Sequence, residues 1–86
     1  MKVILDIYNE RMQFQLVSEP FEWIFPKYPE KNDMIIPSQF SEIAIFNFFD
    51  CEDDCITEDY HYFRNSEFNI INGEPIITFQ FYDEKQ

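Results

Sequence analysis

Asn72 and Gly73 stand between two apolar-alternating runs, "EFNII" and "EPIITFQFY", and no other pattern in the chain constrains the fold as strongly. Both residue types tolerate positive φ, which a two-residue type I′ turn requires at each central position. The pattern therefore predicts a C-terminal β-hairpin that turns at Asn72-Gly73. Pro75 follows closely and cannot donate to a ladder, so we expect the start of its strand to lie at a sheet edge or a bulge.

Alternation of apolar and polar residues also marks the beginning of the chain. The apolar positions are Val3, Leu5 and Ile7 in one run and Met12, Phe14 and Leu16 in the next. A period of two is typical of half-buried strands, and the polar Asn9-Glu10-Arg11 separates the runs, so we expect an N-terminal hairpin. The run "FEWIF", which ends at Pro26, predicts a short edge strand.

Residues 38–49, "SQFSEIAIFNFF", carry two competing patterns. Phe40, Ile43, Ala44 and Phe48 fit helical spacing, whereas the β-branched and aromatic composition favours a strand. We expect a strand, with a short helix as the alternative. The 86 residues form a single domain, residues 1–86. The fold class is mainly β or α+β, with about five to six short, largely antiparallel strands in a barrel, a sandwich or an α+β roll.

The charge of the chain limits its partners. Seventeen acidic residues stand against six basic ones, which gives a net charge of -11. Such a surface repels nucleic-acid phosphates and anionic lipid headgroups, so we expect neither direct nucleic-acid binding nor membrane binding. It attracts basic proteins or cations. The plain alternative is that the charge only keeps an aromatic-rich protein in solution.

Few residues offer catalytic chemistry. With Gly73 as the only glycine, the chain has no glycine-rich loop for phosphates or dinucleotides. His61 is the only histidine, and in "YHYF" we expect it to pack beside tyrosines within a sheet. We therefore predict no catalytic residue, no enzymatic activity and no cofactor.

Both cysteines lie in the acidic stretch "FFDCEDDCITEDYHYF", residues 48–63. Cys51 and Cys55, with His61 and Asp59, could supply four zinc ligands, but Cys-x3-Cys without a second paired motif is a weak signal. We predict no metal site and two reduced thiols, and a small cysteine-based metal-binding protein stays an alternative. "VILDIY" is too short and too acidic for a signal peptide, so we expect a cytoplasmic protein.

The acidic stretch itself is the candidate interaction site. No Lys or Arg occurs from Asn32 through Phe63. The residues that we predict to bind a partner are Asp50, Glu52, Asp53, Asp54, Glu58, Asp59, Tyr60 and Tyr62. Their carboxylates could stand where phosphates would lie, and the tyrosines could serve as anchors.

Two functions fit these features best. The first is a small acidic protein-interaction module that binds a basic or nucleic-acid-binding protein, with inhibition by nucleic-acid mimicry as its specific form. The second is a self-associating structural or assembly domain, which would form a homo-oligomer through an edge strand such as the one that carries Trp23.

Overall fold

A computed structural model describes residues 1–49 and 58–86 of the chain, and these residues form one seven-stranded mixed sheet. The strands are β1 (Lys2–Asn9), β2 (Phe14–Ser18), β3 (Phe21–Glu22), β4 (Met34–Ile35), β5 (Phe46–Phe49), β6 (His61–Ile71) and β7 (Glu74–Tyr82). Their order across the sheet is β4-β6-β7-β1-β2-β5, and β3 pairs separately with β1. The predicted mainly β single-domain class is confirmed.

The C-terminal hairpin forms as predicted. Asn72 and Gly73 have φ values of 51° and 79°, and the strands pair from Ile71 opposite Glu74 onward. Pro75 lies on β7 just before the pairing with β1 begins at Ile76, so the proline has a strand neighbour on one side only. A residue without an N–H is tolerated there because the ladder does not need its donor.

The centre of the sheet holds one parallel pair. β1 runs antiparallel to β2, as the predicted N-terminal hairpin requires, but parallel to β7, with Leu5 opposite Phe79 and Ile7 opposite Phe81. Parallel strands need a long crossover, and here the chain between β1 and β7 makes the rest of the sheet. Met12 was expected on the core face of β2 but lies exposed in the turn before it.

Residues 38–49 divide between the two alternatives. A short 3-10 helix spans Pro37–Phe40 and buries Pro37 and Phe40, whereas Phe46–Phe49 form β5. The helix is followed by a turn over residues 41–43, in which the N–H groups of Ile43 and Ala44 both donate to the Phe40 carbonyl, and then by β5, which pairs with β2. The segment therefore contains both a short helix and a strand, one after the other along the chain.

The core lies on one face of the sheet. Val3, Leu5 and Ile7 are fully buried, as the alternation along β1 requires. The residues that pack with them are Phe14, Leu16, Phe21, Phe40, Ala44, Phe63, Phe79 and Phe81. The segment from β3 to the 3-10 helix covers this face, so we call the opposite face of the sheet the outer face.

Trp23 belongs to this cover. Its ring stacks on Phe40 at a centroid distance of 6.1 Å, and its indole N–H donates to the carbonyl of Lys27 at 2.9 Å. The expected edge strand over residues 21–25 shrinks to Phe21–Glu22, which pairs with β1. Beyond this pair, the Trp23 N–H donates to the Met1 carbonyl at 3.4 Å.

In the described ranges 1–49 and 58–86, no helix combines the length and the apolar character needed to cross a membrane.

Candidate functional site

Several strand ends and acidic side chains meet at one end of the sheet, which we call the acidic pole. Its carboxylates are Glu10, in the turn after β1, Glu58 and Asp59, before β6, and Asp83 and Glu84, after β7. The register explains the meeting. The parallel pairing of β1 with β7 ends at Tyr8 and Tyr82, and Tyr62, the second residue of β6, lies opposite Tyr82.

Residues 50–57 connect two parts of the chain that both lie at the acidic pole. β5 ends with Phe49 opposite Gln15, and Gln15 pairs with Tyr8 near the end of β1. The chain is described again from Glu58, just before β6 begins. Both described neighbours of residues 50–57 are thus at the acidic pole, and by sequence that segment carries four further acids.

A row of tyrosines crosses the outer face beside the acidic pole. Tyr62 lies opposite Tyr82, and Tyr82 lies opposite Tyr8. The rings of Tyr8 and Tyr82 meet edge to face with a centroid distance of 6.0 Å. Partners in register share a face of the sheet, so the three rings form one band, which we call the tyrosine row.

The basic side chains near the acidic pole are engaged within the protein. The guanidinium of Arg64 lies 4.0 Å from the centroid of the Tyr82 ring, and the ammonium of Lys85 lies 5.7 Å from that of Tyr62. Arg11 donates from Nε to Asp83 at 3.0 Å. These three cations keep their charge there and offset part of the negative charge of the acidic pole.

The predicted site residues have different fates. Glu58, Asp59 and Tyr60 are exposed together at the acidic pole, and Tyr60 shows 53% of its surface. Tyr62 is half-buried in the tyrosine row. Sequence reasoning missed Tyr8 and Tyr82, because only the pairing of β1, β7 and β6 brings them beside Tyr62. The predicted residues Asp50, Glu52, Asp53 and Asp54, and both cysteines, lie outside the described residues.

His61 is completely buried at the base of the acidic pole. Its Nδ1 lies 3.0 Å from the carbonyl oxygen of Asp59, which can only accept, so Nδ1 carries the proton. Nε2 then accepts from the side-chain amide of Asn9 at 3.2 Å. The Asn9 orientation is held by Met12, whose N–H donates to Asn9 Oδ1 at 2.9 Å. The network therefore suits the neutral ring, and neither nitrogen faces an open site.

Burial lowers the pKa of His61 below 6.5, although the Asp59 carbonyl and the charges of Asp83 and Asp59 act in the opposite direction. The unfolded chain accepts a proton near pH 6.5 and the folded one only at lower pH, so stability falls as the pH drops below about 6.5. We expect wild-type urea midpoints to fall between pH 7.5 and pH 5.5, and those of His61→Gln to change less. An NMR titration that placed the pKa of His61 at or above 6.5 would contradict this.

Asp83, which follows β7, is hydrogen-bonded to the turn after β1 at the acidic pole. Its carboxylate accepts from the N–H groups of Glu10 at 3.1 Å and Arg11 at 3.2 Å, in addition to Arg11 Nε. Burial opposes ionisation of this carboxyl, but the N–H donors of Glu10 and Arg11 outweigh it and hold the pKa of Asp83 below 3.8. Asp83 thus ties the turn after β1 to the end of β7 and gives the pole a fixed shape.

Among the hollows on the described surface, two lie beside aromatic side chains on opposite faces of the sheet. A groove of about 640 Å³ lies on the core side, and its lining includes Trp23, Phe25, Tyr28 and Phe40 together with the acids Glu30 and Asp33. A smaller one of about 250 Å³ lies on the outer face between Asp6, Gln15, Gln80 and the rings of Tyr8 and Tyr82. Gln15 donates to Asp6 at 2.7 Å, so the polar groups of the smaller hollow partly satisfy each other.

In the part of the chain that the structure describes, no three His, Cys, Asp or Glu side chains come close enough together to hold a metal ion.

Comparison with known proteins gives no relative, since no protein family, no curated protein and no solved structure matches the chain.

Proposed function

We propose that this protein is a non-enzymatic interaction module whose acidic pole binds a basic protein surface. The observation that supports the proposal is the common location of Phe49 and Glu58, the described neighbours of the segment 50–57, at the end of the sheet that also carries Glu10, Asp59 and Glu84. A rigid sheet therefore gathers exposed carboxylates from several parts of the chain at one end. The segment adds Asp50, Glu52, Asp53 and Asp54 by sequence.

Electrostatics makes a basic partner the best fit. Like charges gathered at one end raise the local field, which steers a cationic surface toward the pole and speeds association. The gain depends on ionic strength, because the Debye length is only about 8 Å at physiological salt. Binding that rests on the pole should therefore weaken steeply as salt rises.

Aromatic rings beside the charge would supply the less polar part of the contact. Tyr60 is exposed next to Asp59, and the tyrosine row begins at Tyr62, two residues further on. Tyrosines are enriched among residues that dominate binding energy, since one ring offers both apolar area and a hydroxyl. We include nucleic-acid mimicry as the specific form of the proposal, with carboxylates in place of phosphates and rings in place of bases.

The absence of a catalytic role is part of the same proposal. His61 is buried and both of its ring nitrogens are hydrogen-bonded, so the residue is not placed to exchange protons with a substrate. The proposal also includes a cytoplasmic location, which cell fractionation would test.

A pull-down with a matched charge control tests the proposal. We compare wild type with Glu58→Gln/Asp59→Asn at the acidic pole and with Glu19→Gln/Glu22→Gln, two exposed acids at the opposite end of the sheet. Both variants lose the same charge. We expect wild type and the second variant to recover the same basic protein at low salt, and the pole variant to recover at least about fivefold less, equivalent to roughly 1 kcal/mol.

The recovered protein is then purified and titrated at increasing salt. An association rate that falls steeply with salt supports binding at the acidic pole. Competition by an oligonucleotide for the recovered protein supports mimicry of nucleic acid. Recovery of no basic protein at low salt, or equal loss in both variants, would refute the proposal.

A further inference from the structure

β6 is much longer than β4, its neighbour on the edge that faces away from β7. β7 pairs with it along its length, but β4 pairs only with His61 and Tyr62. The loop before β4 adds two hydrogen bonds to the backbone of Phe63. The Asn32 N–H donates to the Phe63 carbonyl at 3.0 Å, and the Phe63 N–H donates to the Asp33 carbonyl at 2.8 Å. The register then shifts at Arg64. Among the described strands, none pairs with residues 65–71 on that side.

The backbone groups that face this open side follow from the turn. In a hairpin with two turn residues, Ile71 and Glu74 form a hydrogen-bonded pair, and alternate residues of β6 then direct their N–H and C=O groups toward β7. Ser66, Phe68 and Ile70 lie between those positions. Their N–H and C=O groups consequently point away from β7, toward the open side.

Phe68, Ile70 and Ile71 are large apolar side chains on this edge, and all three are exposed. Phe68 is 58% exposed and Ile70 is 68% exposed, and the register with Ile77 places Phe68 on the core side of the sheet. Natural sheets protect such edges with lysine, proline or bulges, and the bulge of β6 at Arg64 lies before this open stretch and not within it. Residues 65–71 contain neither lysine nor proline, and Glu67 is their one charged residue.

We propose that this edge of β6 binds the same edge of a second copy of the chain. The two strands run antiparallel about a two-fold axis at Phe68, so that Phe68 lies opposite its own counterpart and Ser66 lies opposite Ile70. The outward groups of Ser66, Phe68 and Ile70 then form six hydrogen bonds across the axis. Phe68 and Ile70 of both copies meet on one face and extend the core across the interface.

The charge of the chain favours this register and this arrangement. An axis at Phe68 puts Glu67 opposite Asn69, whereas an axis at Glu67 would set the two carboxylates against each other. His61 lies seven residues from the axis, and at about 3.3 Å per residue the two acidic poles stand roughly 45 Å apart. That is several Debye lengths, so the poles repel little and both stay free.

The contact is small, so we expect a weak dimer. A pairing of this length stays below the roughly 1,200 Å² of stable interfaces, which corresponds to a dimer that dissociates on dilution. The inference does not depend on the acidic pole, and the two are separable by salt. High salt should weaken binding at the pole and leave the apolar, hydrogen-bonded edge intact.

Sedimentation velocity from about 1 μM to about 1 mM protein tests the dimer, with two variants that change the same residue type. Ile70 and Ile45 are each 68% exposed, but only Ile70 lies on β6. We expect Ile70→Lys to raise the dissociation constant at least tenfold and Ile45→Lys to change it less than twofold. Circular dichroism at low concentration checks that both variants fold.

Amide hydrogen exchange locates the contact. In the dimer we expect the Phe68 amide to become protected as concentration rises, whereas the Glu67 amide, bonded to β7, is protected throughout. A monomer at every concentration, equal effects of the two lysine variants, or protection of the Phe68 amide in dilute monomer would each overturn the proposal.

Discussion

Ile7→Ala is expected to lower the free energy of unfolding by about 2–5 kcal/mol, a large part of the stability of a domain this small. Ile7 is fully buried on β1, opposite Phe81 on β7 and Leu16 on β2. Removal of its side-chain atoms leaves a cavity between three central strands that cannot collapse without distorting the ladder. With urea slopes of about 1 kcal/mol per molar, the unfolding midpoint should fall by more than about 1.5 M.

The matched control is Ile24→Ala, because Ile24 is 65% exposed and loses the same atoms. Its midpoint should correspond to a change within about 0.5 kcal/mol. Equal losses in the two variants would mean that β1 does not lie at the centre of the core.

Asp83→Asn is expected to cost roughly 2–3 kcal/mol at pH 7, the second large effect. The Asp83 side chain is only 1% exposed and accepts from three N–H donors. An asparagine keeps the shape but turns one acceptor into a donor that faces other donors. Equilibrium unfolding in urea at pH 7 measures the loss.

The stability that Asp83 supplies also depends on pH in a defined direction. Because its pKa is lower in the folded protein than the ordinary 3.8, the contribution is present above about pH 3.8 and is lost as the pH falls toward the folded pKa. Asp83→Asn should therefore lower the free energy of unfolding near pH 7 and also make it depend less on pH in the acidic range.

Arg11→Met removes the ion-pair partner of the Asp83 carboxylate. The Arg11 side chain is 62% exposed, so the pair is screened by water and its loss should cost less than about 1 kcal/mol. The backbone donors of Glu10 and Arg11 remain in this variant. A loss from Arg11→Met as large as that from Asp83→Asn would show that the ion pair, and not the buried backbone bonds, stabilises this turn.

The predictions that held rest on local chemistry. Asn72-Gly73 turns the hairpin because both residues can adopt positive φ, and Val3, Leu5 and Ile7 are buried together because a strand alternates its faces. Residues 38–49 were ambiguous because helical spacing and strand composition overlap there, and the chain uses each in turn. Local signals of this kind need only neighbouring residues.

The candidate site was only partly accessible to such reasoning. Glu58, Asp59 and Tyr60 were found from composition, since they lie in a run without basic residues. Tyr8 and Tyr82 could not be found, because they are 74 positions apart and meet only through the parallel pairing of β1 and β7. The hydrogen bond of His61 with Asn9 is equally non-local, since the two residues are 52 positions apart.

The sequence by itself determined the mainly β class, the C-terminal turn, the buried face of β1 and a net charge of -11. Only the tertiary structure decided that β1 and β7 pair in parallel, that the acids after β1, before β6 and after β7 meet at one pole, and that β6 extends beyond the residues that pair with β4. The physical reason is that alternation and turn propensity act over a few residues, whereas strand order and register are set by burying all apolar faces at once. Those long-range pairings place the acidic pole and the open edge of β6 at different parts of the sheet.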